Sequence, residues 1–140
     1  MGASAGYNLL MSFVIEFDAR NNILRGTLEG GLTDDIFLDY YGVAAKYTAS
    51  HPPCRGIWDL SKVTTFDVSS QCIRQVAERA QLIPIGYMRV VVAPHDLLYG
   101  MMRMLQILTE KTRPDLHVVR TIEEAYRLLD AESPEFSPVS

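Results

Sequence analysis

Apolar and polar residues alternate along residues 12–18. This two-residue period is typical of a β-strand with one buried face. Residues 23–30 form a second strand-like stretch, and the polar segment 19–22 between the two predicts a turn. The pattern therefore indicates an antiparallel hairpin, whose second strand ends at Gly30-Gly31.

From residue 33 onwards the apolar spacing changes to three and four residues, the period of an amphipathic helix. Four such stretches alternate with three mostly apolar segments, 55–60, 87–94 and 116–121, which are typical of central strands. Thr33 is a suitable N-cap for the first helix, and Thr121 begins a capping box before the last. The predicted inner faces of the helices are Phe37, Tyr40, Tyr41 and Ala44; Ile73, Val76, Ala77 and Ala80; Leu98, Met101, Met102, Leu105 and Leu108; and Ala125, Leu128 and Leu129.

The order of these elements, β-β-α-β-α-β-α-β-α, predicts an α/β fold in which helices pack against a mixed five-stranded sheet. We assign residues 12–131 to this domain, residues 1–11 to an N-terminal extension and the Ser- and Pro-containing residues 132–140 to a flexible tail. Right-handed crossovers place the loops after parallel strands along one sheet edge, where ligands often bind. The loops at 67–70 and 94–96 both follow such strands, so we expect them to share one site.

The composition narrows the classes of partner. The 140 residues carry 17 acidic and 13 basic side chains, a net charge of −4, whereas nucleic-acid binding requires a basic surface. No apolar run is long enough to span a bilayer, so we expect neither a nucleic-acid partner nor membrane insertion. Cys54 and Cys72 form no CxxC motif or disulfide framework, which favours the reducing cytoplasm. His51, His95 and His117 are too scattered for a metal site, and we expect no cofactor.

Asp67, Ser69 and Ser70 form a polar group where the strand at 55–60 leads towards the second helix. One interpretation is capping, in which Ser69 or Asp67 accepts a hydrogen bond at the helix N-terminus and stabilises it by about 1 kcal/mol. The other is a switch, because a phosphate on Ser69 would place about −1.5 to −2 charges beside free backbone N–H groups. The two roles are compatible, and the residues alone leave both open.

His95 and Asp96 follow the strand at 87–94, and Asp96 is also a suitable N-cap for the third helix. Together with Ser69 they would supply the residue types of a hydrolase triad. The chain has no G-x-S-x-G motif, however. We therefore expect no catalytic residues and no enzymatic activity.

The third helix carries Tyr99, Gly100 and Arg103. A glycine inside a helix costs about 1 kcal/mol relative to alanine, so Gly100 favours close packing of another helix or contact with a ligand. An apolar pocket between helices and sheet would be lined by Tyr40, Tyr41, Tyr99 and Met104. The tyrosines of the first helix equally suit a homodimer face.

The phrase DLSKVTTFDVSS, residues 59–70, resembles a motif of the STAS domain family, which usually reads DLSGVTFIDSSGLG. This family includes the SpoIIAA-type anti-sigma factor antagonists, and the resemblance extends over residues 12–130. It implies a STAS-like fold in which Ser69 corresponds to the serine that antagonists present to a partner kinase. Val68 stands where a serine is common, and Ser70 replaces a glycine that lets a partner's backbone approach.

A second stretch, APHDLLYGMMRMLQ, is similar to an uncharacterised SpoIIAA-like subgroup described as STAS/SEC14-like. The residues that match its D-x-x-[FY]-G-x-x-R-M pattern are Asp96, Tyr99, Gly100, Arg103 and Met104. The resemblance implies a non-enzymatic regulatory module whose partner is a protein such as a kinase or an anti-sigma-like factor. The edge for that partner would comprise Asp67, Ser70, His95, Asp96, Tyr99 and Arg103. The alternative, by analogy of fold, is a carrier or sensor of a small apolar ligand or lipid.

Overall fold

A computed structural model of the chain describes residues 13–78 and 86–139. The strands are β1 (Phe13–Asp18), β2 (Ile23–Thr33), β3 (Arg55–Asp67), β4 (Arg89–Val92), β5 (Leu116–Val119) and β6 (Ser137–Pro138). The helices are α1 (Asp34–Ala49), α2 (Ser70–Glu78), α3 (Asp96–Thr109) and α4 (Ile122–Leu128). The predicted N-terminal extension 1–11 and the predicted inner residue Ala80 lie outside the described residues.

The strands form one mixed sheet in the order β5-β4-β3-β2-β1-β6. β1 is antiparallel to β2 and β6, whereas β2, β3, β4 and β5 are parallel to one another. The predicted hairpin is present, and in its turn Asp18 accepts hydrogen bonds from the backbone N–H groups of Arg20 (3.0 Å) and Asn21 (3.2 Å). The predicted α/β class, with a mixed sheet and packed helices, is thus confirmed.

The predicted number of five strands was wrong, because the described residues include a sixth after α4. β6 lies in the stretch predicted as a flexible tail and pairs with β1. The backbone N–H of Val139 donates to the carbonyl oxygen of Ile15 (3.1 Å), and the guanidinium carbon of Arg25 lies 3.9 Å from the centre of the Phe136 ring. These contacts join residues far apart in the chain, so the composition of the segment does not reveal them.

The helices lie on both faces of the sheet. The crossovers through α1, α2 and α3 each move one strand further in the same direction, so right-handed connections place these three helices on one face. α4 follows the last parallel strand and packs on the opposite face, where Ala125 and Leu129 cluster with Ile23, Ile57 and Val90. The larger core therefore lies between the sheet and the first three helices.

Local capping signals are confirmed. The Thr33 hydroxyl accepts a hydrogen bond from the Ile36 N–H (3.3 Å), and Thr121 and Glu124 form a reciprocal capping box. Two residues predicted on inner faces are instead exposed: Leu108 by 49% and Leu128 by 42%. Each lies about a quarter-turn from the line of buried residues on its helix, so it faces the rim of the core.

β2 and β3 are both longer than predicted. β2 continues through Gly30 and Gly31 to Thr33, and β3 continues beyond Leu60 to Asp67. The two glycines do not end β2 but mark a register shift in its pairing with β3. Gly30 has φ +81°, a conformation that glycine adopts without strain, so the irregular ladder can resume.

The centre of the larger core is an aromatic cluster around Trp58. The rings of Phe37, Tyr40 and Tyr41 stand edge-on to Trp58, with centroids 5.5–6.4 Å away. Tyr40 passes over Gly26 in β2, where an added Cβ would lie 2.3 Å from the tyrosine ring. The absence of a side chain at position 26 therefore makes room for Tyr40.

We expect Gly26→Ala to lower the free energy of unfolding by about 1–3 kcal/mol, because the buried Tyr40 ring has little space to move away. The matched control is Gly100→Ala, since an added Cβ there meets no atom within 4 Å. That change should stabilise the exposed face of α3 by up to about 1 kcal/mol. Urea denaturation of the two variants measures both effects, and a loss of equal size in both would contradict the assignment.

Candidate functional site

The parallel pairing of β2 with β3 brings two helix N-termini together. Thr33 at the end of β2 is the register partner of Asp67 at the end of β3. α1 begins directly after Thr33, and α2 begins two residues beyond Val68. Ser69, just before α2, therefore lies beside Asp34, the first residue of α1.

Ser69 makes hydrogen bonds to both helices. Its hydroxyl accepts from the Cys72 N–H (3.0 Å), so Ser69 makes the capping bond that the sequence allowed for either Ser69 or Asp67. Its backbone N–H donates to Asp34 Oδ1 (2.7 Å), and its hydroxyl donates to Asp34 Oδ2 (2.8 Å). The side chain remains exposed, so the cap is accessible from solution.

The surroundings of Ser69 are acidic. A concave surface of about 300 Å³ is lined by Thr33, Asp34, Asp35, Asp67, Val68 and Ser69. The backbone N–H and the hydroxyl of Ser69 both donate to the Asp34 carboxylate and lower its pKa below the ordinary value. Ser70 is exposed in the first turn of α2 and Asp67 is exposed at the end of β3. The structure thus brings together Asp67, Ser69 and Ser70 and adds Asp34, which was not among the predicted site residues.

The second predicted group lies elsewhere. Val92 in β4 pairs with Asp59 in β3, and β3 continues for eight residues beyond that point, about 26 Å of extended chain. Within the described ranges, the hydrogen bonds of Ser69 go to Asp34 and Cys72, and the concave surface that Ser69 lines includes neither His95 nor Asp96. The expected single edge site is therefore divided into two separate places.

At the second place, Arg120 connects the residues of α3 to the loop after β5. Its guanidinium donates to Asp96 (2.8 Å) and to the carbonyl oxygen of Pro94 (3.1 Å), and it lies 4.0 Å from the centre of the Tyr99 ring. The N-cap of α3 is His95, whose side chain makes no capping bond, so the prediction that Asp96 is the cap was wrong. The Asp96 carboxylate, which is 95% exposed, instead forms an ion pair with Arg120.

The other predicted residues of α3 point away from a common site. The Arg103 side chain is exposed and donates to the Gln106 side chain of the same helix. Gly100 is exposed with no atom within 4 Å of an added Cβ, so it does not permit a close contact within the chain. Met104 is partly buried against the larger core.

The predicted apolar pocket is not formed by the residues that we expected. Tyr40 and Tyr41 are buried in the aromatic cluster, and Tyr99 lies under Arg120. An apolar groove of about 460 Å³ occurs instead between β1, β6 and α1. Its apolar lining comprises Phe13, Val14, Ile15, Val43, Tyr47 and Val139. The groove was not predicted, because β6, which supplies Pro138 to its lining, was expected to be flexible.

The described residues offer no ready arrangement for the other classes of chemistry. The Ser69 hydroxyl is bonded to an aspartate and lies in no hydrogen bond with a histidine there. Among residues 13–78 and 86–139, no three His, Cys, Asp or Glu side chains are grouped to hold a metal ion. None of the helices in this part of the chain is long and apolar enough to cross a bilayer.

Comparison with known proteins finds no match: no family model, no curated protein and no solved structure is similar to this chain.

We expect Ser69→Ala to raise the pKa of Asp34 towards its ordinary value and to cost about 1 kcal/mol of stability through the lost cap. Because the folded pKa of Asp34 is depressed, its contribution is present above the unfolded pKa of about 3.8 and is lost as the pH falls through the folded value. Carboxyl NMR titration and urea denaturation measure the two effects. Ser70→Ala is the matched control and should change neither; an unaltered Asp34 titration in Ser69→Ala would refute the coupling.

Proposed function

We propose that this chain is a non-enzymatic regulatory module of the STAS type, which binds a protein partner through the surface around Ser69 and is gated by phosphorylation of that serine. The observation that supports the proposal is the double role of an exposed hydroxyl. Ser69 caps α2 and at the same time holds the N-terminus of α1 through Asp34. A modification of this one atom would act on both helices.

The physical consequence of phosphorylation follows from the charges. The phosphate removes the hydroxyl proton that Ser69 donates to Asp34, and it adds about −1.5 to −2 charges. Asp34, Asp35 and Asp67 then repel the modified side chain, while the N–H groups at the N-terminus of α2 attract it. The phosphate therefore favours α2 over α1 as its contact and loosens the connection between the two helix ends.

The acidic surroundings also indicate the type of partner. A protein that binds the unmodified surface needs basic or hydrogen-bond-donating groups opposite Asp34, Asp35 and Asp67. Cys54 and Cys72 are buried and form no disulfide within the described residues, which supports placing this partner in the cytoplasm.

Incubation with serine kinases and ATP tests the proposal. We expect phosphate in the tryptic peptide 63–74, located at Ser69 by fragmentation, together with faster amide hydrogen exchange at the start of α1. Ser69→Ala should abolish both effects, and Ser70→Ala should retain them. Phosphate on Ser70 alone, or modification of Ser69 without a change in exchange at α1, would contradict the mechanism.

A second candidate function is supported by the apolar groove between β1, β6 and α1. Its volume of about 460 Å³ falls in the range of small-molecule sites, which are mostly apolar with a few polar groups. Lys46 and His51 supply such groups at its border. The function would then be that of a carrier or sensor of a small apolar ligand.

Native mass spectrometry of freshly purified protein tests whether the chain is such a carrier. A carrier should retain a co-purifying apolar molecule, and Val43→Asp should abolish its retention because Val43 lines the groove and is 41% exposed. Leu97→Asp places the same charge at a 64% exposed position that does not line the groove, and it should leave retention unchanged. Ligand-free wild-type protein would count against the carrier.

A further inference from the structure

Arg89 is a charged residue inside the sheet. It lies in β4, with 4% of its surface exposed, and its guanidinium carbon is 4.9 Å from the centre of the Trp58 ring. Its Nε and Nη1 atoms are buried and have no hydrogen-bond partner in residues 13–78 and 86–139. A buried guanidinium with unused donors is unfavourable unless a negative or strongly polar group lies against it.

The neighbouring side chains do not supply enough negative charge. Arg113 is also buried, and Asp115 forms an ion pair with it at 3.2 Å. One carboxylate thus faces two guanidinium groups. Burial raises the pKa of Tyr40, so its hydroxyl stays neutral and does not act as a counter-ion.

Arg89 nevertheless remains protonated at neutral pH. Burial, and then the charge of Arg113, lower its pKa to about 10, which is still well above 7. The cation–π contact with Trp58 supplies part of the lost hydration but provides no acceptor for the N–H groups. The described residues therefore leave one excess positive charge at this position.

A small cavity adjoins this charge. It lies between β4, α1, α2 and α3, and its walls include Arg89, Arg113, Tyr41, Val76 and Leu105. The volume of the cavity is about 10 Å³, counted as the space open to the centre of a water molecule. That is enough for about one water molecule or one monatomic ion and too little for a larger anion.

We propose that this cavity binds a single halide ion, chloride in solution, against the guanidinium group of Arg89, with Arg113 as a second positive neighbour. The ion accepts hydrogen bonds from the N–H groups of Arg89 and neutralises the excess positive charge. A water molecule would satisfy the donors but leave the charge uncompensated. The site is separate from the surface around Ser69 and does not depend on the function proposed above.

Thermal unfolding in chloride and in gluconate tests the proposal. We compare about 150 mM sodium chloride with the same concentration of sodium gluconate, whose anion is too large for the cavity. For a dissociation constant of about 10 mM, we expect the melting temperature to be about 3–6 °C higher in chloride. Arg89→Gln should remove this difference, whereas Arg74→Gln, which removes a positive charge from the exposed face of α2, should retain it.

A second measurement does not depend on any variant, in case Arg89→Gln does not fold. Crystals of the wild-type protein grown in sodium bromide should show an anomalous peak within hydrogen-bond distance of Arg89 Nε. Equal melting temperatures in the two salts would overturn the proposal. So would a peak confined to the protein surface, or a cavity that holds water without an anomalous signal.

Discussion

The parallel pairing of β2 with β3 determines where the candidate surface lies. The ladder runs from the Ile23–Arg55 pair to the Thr33–Asp67 pair, well beyond the last residue of β4 that pairs with β3. Parallel strands in this register end on the same side, so the helices that follow them begin side by side. The contact between Asp34 and Ser69 is a direct consequence, because each residue is the first or nearly the first after its strand.

The larger core between the sheet and the first three helices contains an aromatic cluster, and the charged Arg89 lies at the edge of that cluster. Trp58 is surrounded by Phe37, Tyr40 and Tyr41, and Arg89 approaches it from the adjacent strand. Only 4% of the surface of Arg89 is exposed in this setting. The rings pack against one another, whereas Arg89 contacts the face of Trp58 and borders the small cavity.

Signals confined to a few residues could be read from the sequence. Thr33 and Thr121 cap their helices as expected, because a cap depends on residues three positions away. The prediction that Gly30-Gly31 end β2 was wrong. These glycines lie at a register shift in the pairing with β3, a strand more than 20 residues away along the chain. Pro138 also suggested irregular chain, but proline is tolerated on an edge strand, where its missing N–H is not needed.

The candidate site was predicted only where it depends on residues close together in the chain. The capping role of Ser69 is local, whereas its bonds to Asp34 join residues 35 positions apart. The separation of Ser69 from His95 depends on how many residues of β3 extend beyond its pairing with β4. No local sequence pattern indicates that length. Arg89 looks in sequence like an ordinary polar residue in a strand, and its burial depends on the helices that cover it.

The short strand β6 has a consequence for the behaviour of the chain at high concentration. β1 would otherwise present a free row of backbone donors and acceptors beside apolar side chains such as Phe13 and Ile15, a template for strand addition between molecules. β6 occupies part of that row through only two paired residues and the neighbouring Val139 bond. The segment 137–139 thus covers part of the β1 edge, and its release would expose backbone groups that can pair with a strand of another molecule.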